Sequence, residues 1–78
     1  MQERYRFEFE DTEIKFAFES LSAALKTDYA MGLGGNALAS EYMLMHFDTE
    51  TSRYGFKHHA TRDYYHLPME PRVVSDLI

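Results

Sequence analysis

Cysteine and tryptophan are absent from this 78-residue chain, proline occurs twice and glycine four times. Without cysteine there is no disulfide framework and no thiolate zinc site, so apolar burial or self-association must supply the stability. No apolar run approaches the roughly 18 residues that span a bilayer. The N-terminus alternates charge with aromatics, where a secretion signal would set a basic start before an apolar stretch. The expected location is therefore cytoplasmic, with no membrane partner. Basic residues are scarce too: eight against 13 acidic ones, a net charge of −5. That balance opposes direct nucleic-acid and anionic-membrane binding, which draw on a basic footprint.

What the chain does have is aromatic surface, in six Tyr and six Phe. Rings remove much apolar area from water per side chain, which suits a domain too short for a large core. Disordered segments show the opposite bias. We expect one compact α+β domain over residues 1–67. Pro68 and Pro71 then open a C-terminal appendage, 68–78, ending in a turn or short helix.

Tyr5, Phe7 and Phe9 alternate with Arg4, Arg6, Glu8 and Glu10, the period of a half-buried strand. Glu13 to Glu19 repeats the pattern with Ile14, Phe16 and Phe18. A two-residue loop at Asp11-Thr12 would pair Phe9 with Ile14, Phe7 with Phe16 and Tyr5 with Phe18. The other face would pair Glu8 with Lys15 and Arg4 with Glu19, each cross-strand pair contributing about 0.2–1 kcal/mol. Against this hairpin, Asp-Thr lacks a turn glycine and Glu10 would face Glu13. The competing element is a helix from about Thr12 with Ile14, Ala17, Phe18, Leu21 and Leu25 as its stripe, which leaves Phe16 on the polar side. The hairpin satisfies both faces in one register and is the preferred reading.

Ser20 then caps a helix that Gly32, a residue at ease in the left-handed region, terminates. Residues 40–48 and 53–60 form a second hairpin around Thr49–Ser52. It sets Asp48 opposite Arg53, Phe47 opposite Tyr54, Met45 opposite Phe56 and Met43 opposite His58. Residues 37–45 are also good helix formers, which leaves the start of that strand open. Residues 61–67 offer a fifth strand. The expected architecture is a small antiparallel sheet, β-β-α-β-β, with one helix on one face. Tyr5, Phe7, Phe9, Ile14, Phe16, Phe18, Leu21, Leu25, Met43, Met45, Phe47 and Phe56 should make most of its core.

The signals for chemistry are weak. Four histidines invite a metal site, but His58 and His59 point to opposite strand faces and His46 lies too far from His59 for one ion. Gly32-Leu33-Gly34-Gly35 follows a helix instead of preceding one, so it reads as a turn and not a phosphate cradle. No Gly-x-Ser-x-Gly elbow is present, and carboxylates on a water-exposed hairpin have no environment to split their pKa values. Pro68-Met69-Glu70-Pro71 matches a short polyproline pattern and reads equally as a stiff strand exit. We expect no enzyme, no cofactor and no metal.

Charge is distributed unevenly. Residues 1–50 carry a net −6 and residues 51–78 a net +1. The acidic hairpin residues Glu8, Glu10, Asp11 and Glu13 suggest docking on a basic surface of another protein, since complementary fields speed and orient encounter. Such a surface is often a nucleic-acid groove, which makes a nucleic-acid-mimic inhibitor the leading expectation. In size and charge alone the chain resembles phage-encoded inhibitors of host defence nucleases. A secondary face gathers Tyr42, His46, Arg53, Lys57 and His59. Two other classes compete. One is a homodimeric assembly module built on unpaired strand edges. The other, ranked last because of the net charge, is a single-stranded nucleic-acid binder. It would stack bases on Tyr42, Tyr54 or Tyr64 and hold phosphates with Arg53, Lys57 and Arg62.

Overall fold

Residues 11–30 decide the architecture. In the computed structural model, which describes residues 3–68, Asp11–Ala30 is one 20-residue helix, α1. The predicted second strand over 13–19 is therefore the first half of this helix, and Ser20 lies inside it instead of capping it. The acids that burden a hairpin turn explain the outcome. Asp11 and Glu13 sit in the first turn of α1, where the N-terminal end of the helix dipole favours negative charge. Ala17, Leu21 and Leu25, spaced four apart, are all buried, whereas Phe16 is 42% exposed. Leaving Phe16 in water forfeits at most about 1.5–3 kcal/mol, and burying Leu21 and Leu25 returns about as much for each.

The helix ends as its glycine predicts. Gly32 has φ +73°; its N–H donates to Tyr29 O at 3.1 Å, and the Leu33 N–H donates to Asp28 O at 2.8 Å. These two bonds satisfy carbonyls that the last turn would otherwise leave unpaired.

Among the described residues four strands follow the order of the chain: β1 (Tyr5–Arg6), β2 (Tyr42–Asp48), β3 (Arg53–His58) and β4 (Tyr64–Pro68). They form one antiparallel sheet in the order β1-β2-β3-β4. The small α+β class with one helix on an antiparallel sheet thus stands, the predicted fifth strand appearing as β4. A single 3₁₀ turn, Ala39–Glu41, leads into β2, which settles residues 37–45 as turn and then strand. Pro68, expected to open the appendage of 68–78, is the last residue of β4; the rest of that appendage, with the second proline of the Pro-x-x-Pro segment, lies outside the described residues.

The β2–β3 register follows expectation for Asp48–Arg53 and Phe47–Tyr54, then shifts between Leu44 and His46. Met45 is the extra residue of this bulge, so Leu44 meets Phe56, Met43 meets Lys57 and Tyr42 meets His58. A one-residue slip sends every later side chain to the opposite face. Leu44 and Tyr42 therefore pack toward the core, and Met43, expected inside, is exposed.

β1 is inverted relative to its expected facing. Arg6 lies on the helix side, its guanidinium 5.2 Å from the Phe47 ring centre and 5.0 Å from that of Phe9. Tyr5 and Phe7 go to the other side and are exposed. The core consists of Ala17, Leu21 and Leu25 against Tyr54, Phe56 and Leu67, with Phe9, Phe18 and Phe47 packed around them. Phe18 meets Phe56 edge-on at 5.2 Å.

Candidate functional site

The predicted acidic site divides once α1 replaces the hairpin. Glu8, Glu10 and Asp11 stay exposed at the entry to the helix. Glu13 turns inward instead. It accepts two bonds from the Arg6 guanidinium, at 3.0 and 2.7 Å, and one from the Tyr54 hydroxyl. Arg6 chiefly holds the Glu13 carboxyl below its usual range. Burial and then Glu13 push Tyr54 up to about 12. Glu13 thus latches the start of α1 to the sheet. At the other end the Tyr65 hydroxyl donates to Asp28 at 2.8 Å, and burial first, then Asp28, raises Tyr65 to about 12. Asp28 interrupts the apolar stripe, and Tyr65 gives it a partner.

His58 and Glu41 form an arrangement that resembles an acid–base pair. His58 Nδ1 accepts N–H bonds from Ala60 and Thr61, both at 3.2 Å. That network assigns the proton to Nε2, which donates to Glu41 Oε1 at 2.8 Å. Nδ1 is therefore occupied in holding the β3–β4 turn, and Nε2 in tying it to the 3₁₀ turn that carries Glu41. Among the described residues no three His, Asp or Glu side chains gather as metal ligands would. Among the same residues, no helix is long and apolar enough to cross a membrane.

The predicted secondary face also divides. Tyr42 lies on the helix side, 5.0 Å edge-on from His58, and His59 is in the turn after β3. Tyr54, a proposed stacking residue, is buried under the helix. His46, Arg53 and Lys57 point to the opposite, open face of the sheet, where α1 covers nothing. Their neighbours there are Tyr5, Phe7, Tyr64 and His66.

A glycine makes this cluster possible. His46, Gly55 and His66 are register partners across β2, β3 and β4. A Cβ added to Gly55 would lie 2.5 Å from His46 Cε1 and Nε2, so the imidazole lies across bare backbone. Over this gap His46 and His66 approach to 6.4 Å. Tyr64 stacks on His66 at 5.9 Å and 14°, and lies 6.0 Å from His46. Tyr5 meets His46 at 5.0 Å, and Phe7 meets it at 6.4 Å. Phe7 is 66% and Tyr64 45% exposed.

The charges around these rings divide: Arg53 and Lys57 lie beside Tyr64 and His66, while Glu3 and Glu8 border Tyr5 and Phe7. Arg4 matches Asp48 with bonds of 3.0 and 2.9 Å and also reaches Glu50 at 3.3 Å. That pairing, with the Glu50 and Thr51 N–H groups, holds the Asp48 carboxyl well below its ordinary range. Arg53 is exposed, and the Lys57 Nζ lies 5.9 Å from the Tyr64 ring centre. A shallow depression of about 450 Å³ opens among Tyr5, His46, Arg53, Tyr64 and His66. Tyr5, Phe7, Tyr64 and His66 were not expected to meet on one open face. The signal that points to them is Gly55, since a lone glycine inside a strand marks close approach by another group. Comparison with protein-family models, curated proteins and solved structures finds no match for this chain.

Proposed function

We propose that this protein is a cytoplasmic, non-enzymatic interaction domain whose contact surface is the open face of the sheet and whose partner is anionic. The observation that carries this reading is the ring cluster of Tyr5, Phe7, His46, Tyr64 and His66, which α1 leaves uncovered beside Arg53 and Lys57. Rings in mutual contact are already ordered, so little side-chain entropy remains to be lost on binding. Exposed aromatic anchors beside cations are the composition of interface hot spots. Asp48, already matched by Arg4, does not repel an anion as a free carboxylate would.

The acidic-docking reading, in which the chain occupies a basic groove of another protein, stands second. Its support is the joint exposure of Glu8, Glu10 and Asp11 at the head of α1; Glu13 is committed to Arg6 and Tyr54. The two readings separate in affinity capture from the source cell with three baits: wild type, Tyr64→Ala/His66→Ala, and Glu10→Lys/Asp11→Lys. The open-face reading predicts a salt-sensitive partner that survives the acidic changes and disappears with the ring changes. The reverse pattern would transfer the function to the acidic end.

A further inference from the structure

Resting on the open-face reading, we infer that the occupant is a single-stranded nucleic acid, its bases stacking on Tyr64, His66 and neighbouring rings while Arg53 and Lys57 meet its phosphates.

Two chemistries coexist on this face, and the ligand must use both. The first is flat π surface. Tyr64 and His66 lie nearly parallel, and His46, seated across Gly55, extends the field to Tyr5 and Phe7. The second is positive charge at the margin, from Arg53 and from Lys57 beside the Tyr64 ring. An acidic peptide would engage the cations and leave the rings idle. A second copy of the chain, face to face, would gather four cations in one interface. A duplex hides the faces of its bases within its own stack. A single strand offers exposed base faces and a backbone anion at every step, and base–aromatic stacking tolerates any sequence. Sheet-borne rings are a recurrent way of holding unpaired bases.

The net charge of −5 argued against this ligand class when charge was counted along the sequence. The fold changes the weighing by separating the signs. Asp11, Glu13, Glu19 and Asp28 belong to α1, beneath the sheet. Glu41 and Asp63 lie at the ends of strands, Glu41 paired with His58. Glu3 and Glu8 border the Tyr5 and Phe7 end of the face, so among the described residues the ligand would meet positive charge at the Tyr64 and His66 end, beside Arg53 and Lys57.

The test is fluorescence anisotropy of labelled 12-nucleotide oligouridine, oligothymidine and a mixed-sequence duplex, at low salt and through a salt series. The inference expects saturable binding of the single strands and weaker binding of the duplex. Tyr64→Ala/His66→Ala should lower single-strand affinity by at least about tenfold, with an unchanged circular dichroism spectrum. Arg53→Gln/Lys57→Gln should reduce the slope of log affinity against log salt by about 1.4, the share of two phosphate contacts on a single strand. No binding at low salt, equal binding of the duplex, or affinity indifferent to both variants would overturn the inference. If a nuclease-resistant protein partner is instead lost with the ring variant in the capture experiment, the nucleic-acid assignment fails and the open-face reading stands.

Discussion

The two faces of this sheet are built from the same residue types to opposite ends. Beneath α1, Phe47, Tyr54, Phe56, Tyr65 and Leu67 are packed, and each buried hydroxyl is given an acceptor. On the open side Tyr5, Phe7, His46, Tyr64 and His66 touch one another, and among the described residues no element packs over them. The first face converts ring area into stability, and the second keeps it available for binding. A chain with 12 Tyr and Phe residues and so small a core cannot be read by counting aromatics. What matters is which strand parity each ring occupies.

Substitutions in the two faces should therefore separate by size of effect. The largest is Phe56→Ala, since Phe56 is fully buried between helix and sheet: a loss of about 3–5 kcal/mol by urea denaturation. Tyr64→Ala, on the open side, should change stability by no more than about 0.5 kcal/mol. Equal losses at the two positions would erase the distinction.

The latches beneath the helix come next. Glu13→Gln removes the carboxylate shared by Arg6 and Tyr54 and should cost about 1–2 kcal/mol. Because the carboxyls of Glu13 and Asp48 are held below their ordinary range, their contribution is complete at neutral pH. It is lost as the pH falls through and below about 4. The unfolding midpoint of the wild type should drop over that range, and that of Glu13→Gln should drop less. Tyr54 and Tyr65, raised to about 12, act with the opposite sign. Their contribution is present below about pH 10 and disappears as the pH climbs toward 12. Tyr65→Phe, which deprives Asp28 of its donor, should cost about 1 kcal/mol at pH 7.

A second substitution on the open side sharpens the comparison most. Gly55→Ala places a methyl against the His46 ring. The contact is with the far end of the side chain, which can yield by shifting against its ring neighbours, so the cost should be about 1 kcal/mol. The ring cluster would nevertheless be rearranged, and His46 imidazole proton shifts should report it. Combining Gly55→Ala with His46→Ala should abolish the penalty, a coupling that a double-mutant cycle reads directly.

Much of the frame was legible in the sequence because it rests on local chemistry. Gly32 marks the end of α1, and Asp48 and Arg53 bracket a four-residue connection whose first two pairs are met as expected. The N-terminal half of α1 was not legible, because Glu13 to Glu19 fits period 2 as well as it fits a helix. The sheet, which buries Ala17, Leu21 and Leu25, and the helix dipole, which favours Asp11 and Glu13 in the first turn, together decide between them. The open face was hidden for a related reason. The bulge at Met45 and the inverted facing of β1 each shift parity by one, moving Met43, Tyr5 and Phe7 outward and Tyr42 inward. Neither shift has a local signature beyond Gly55, so the secondary face named from sequence kept only His46, Arg53 and Lys57.

The most direct test of the central claim is a two-dimensional amide NMR titration of the wild-type protein with short oligouridine. We predict saturating shifts confined to the strands around His46, Arg53, Lys57, Tyr64 and His66, with the amides of α1 unmoved. Shifts concentrated at Glu8, Glu10 and Asp11, or no shifts at all, would contradict the account.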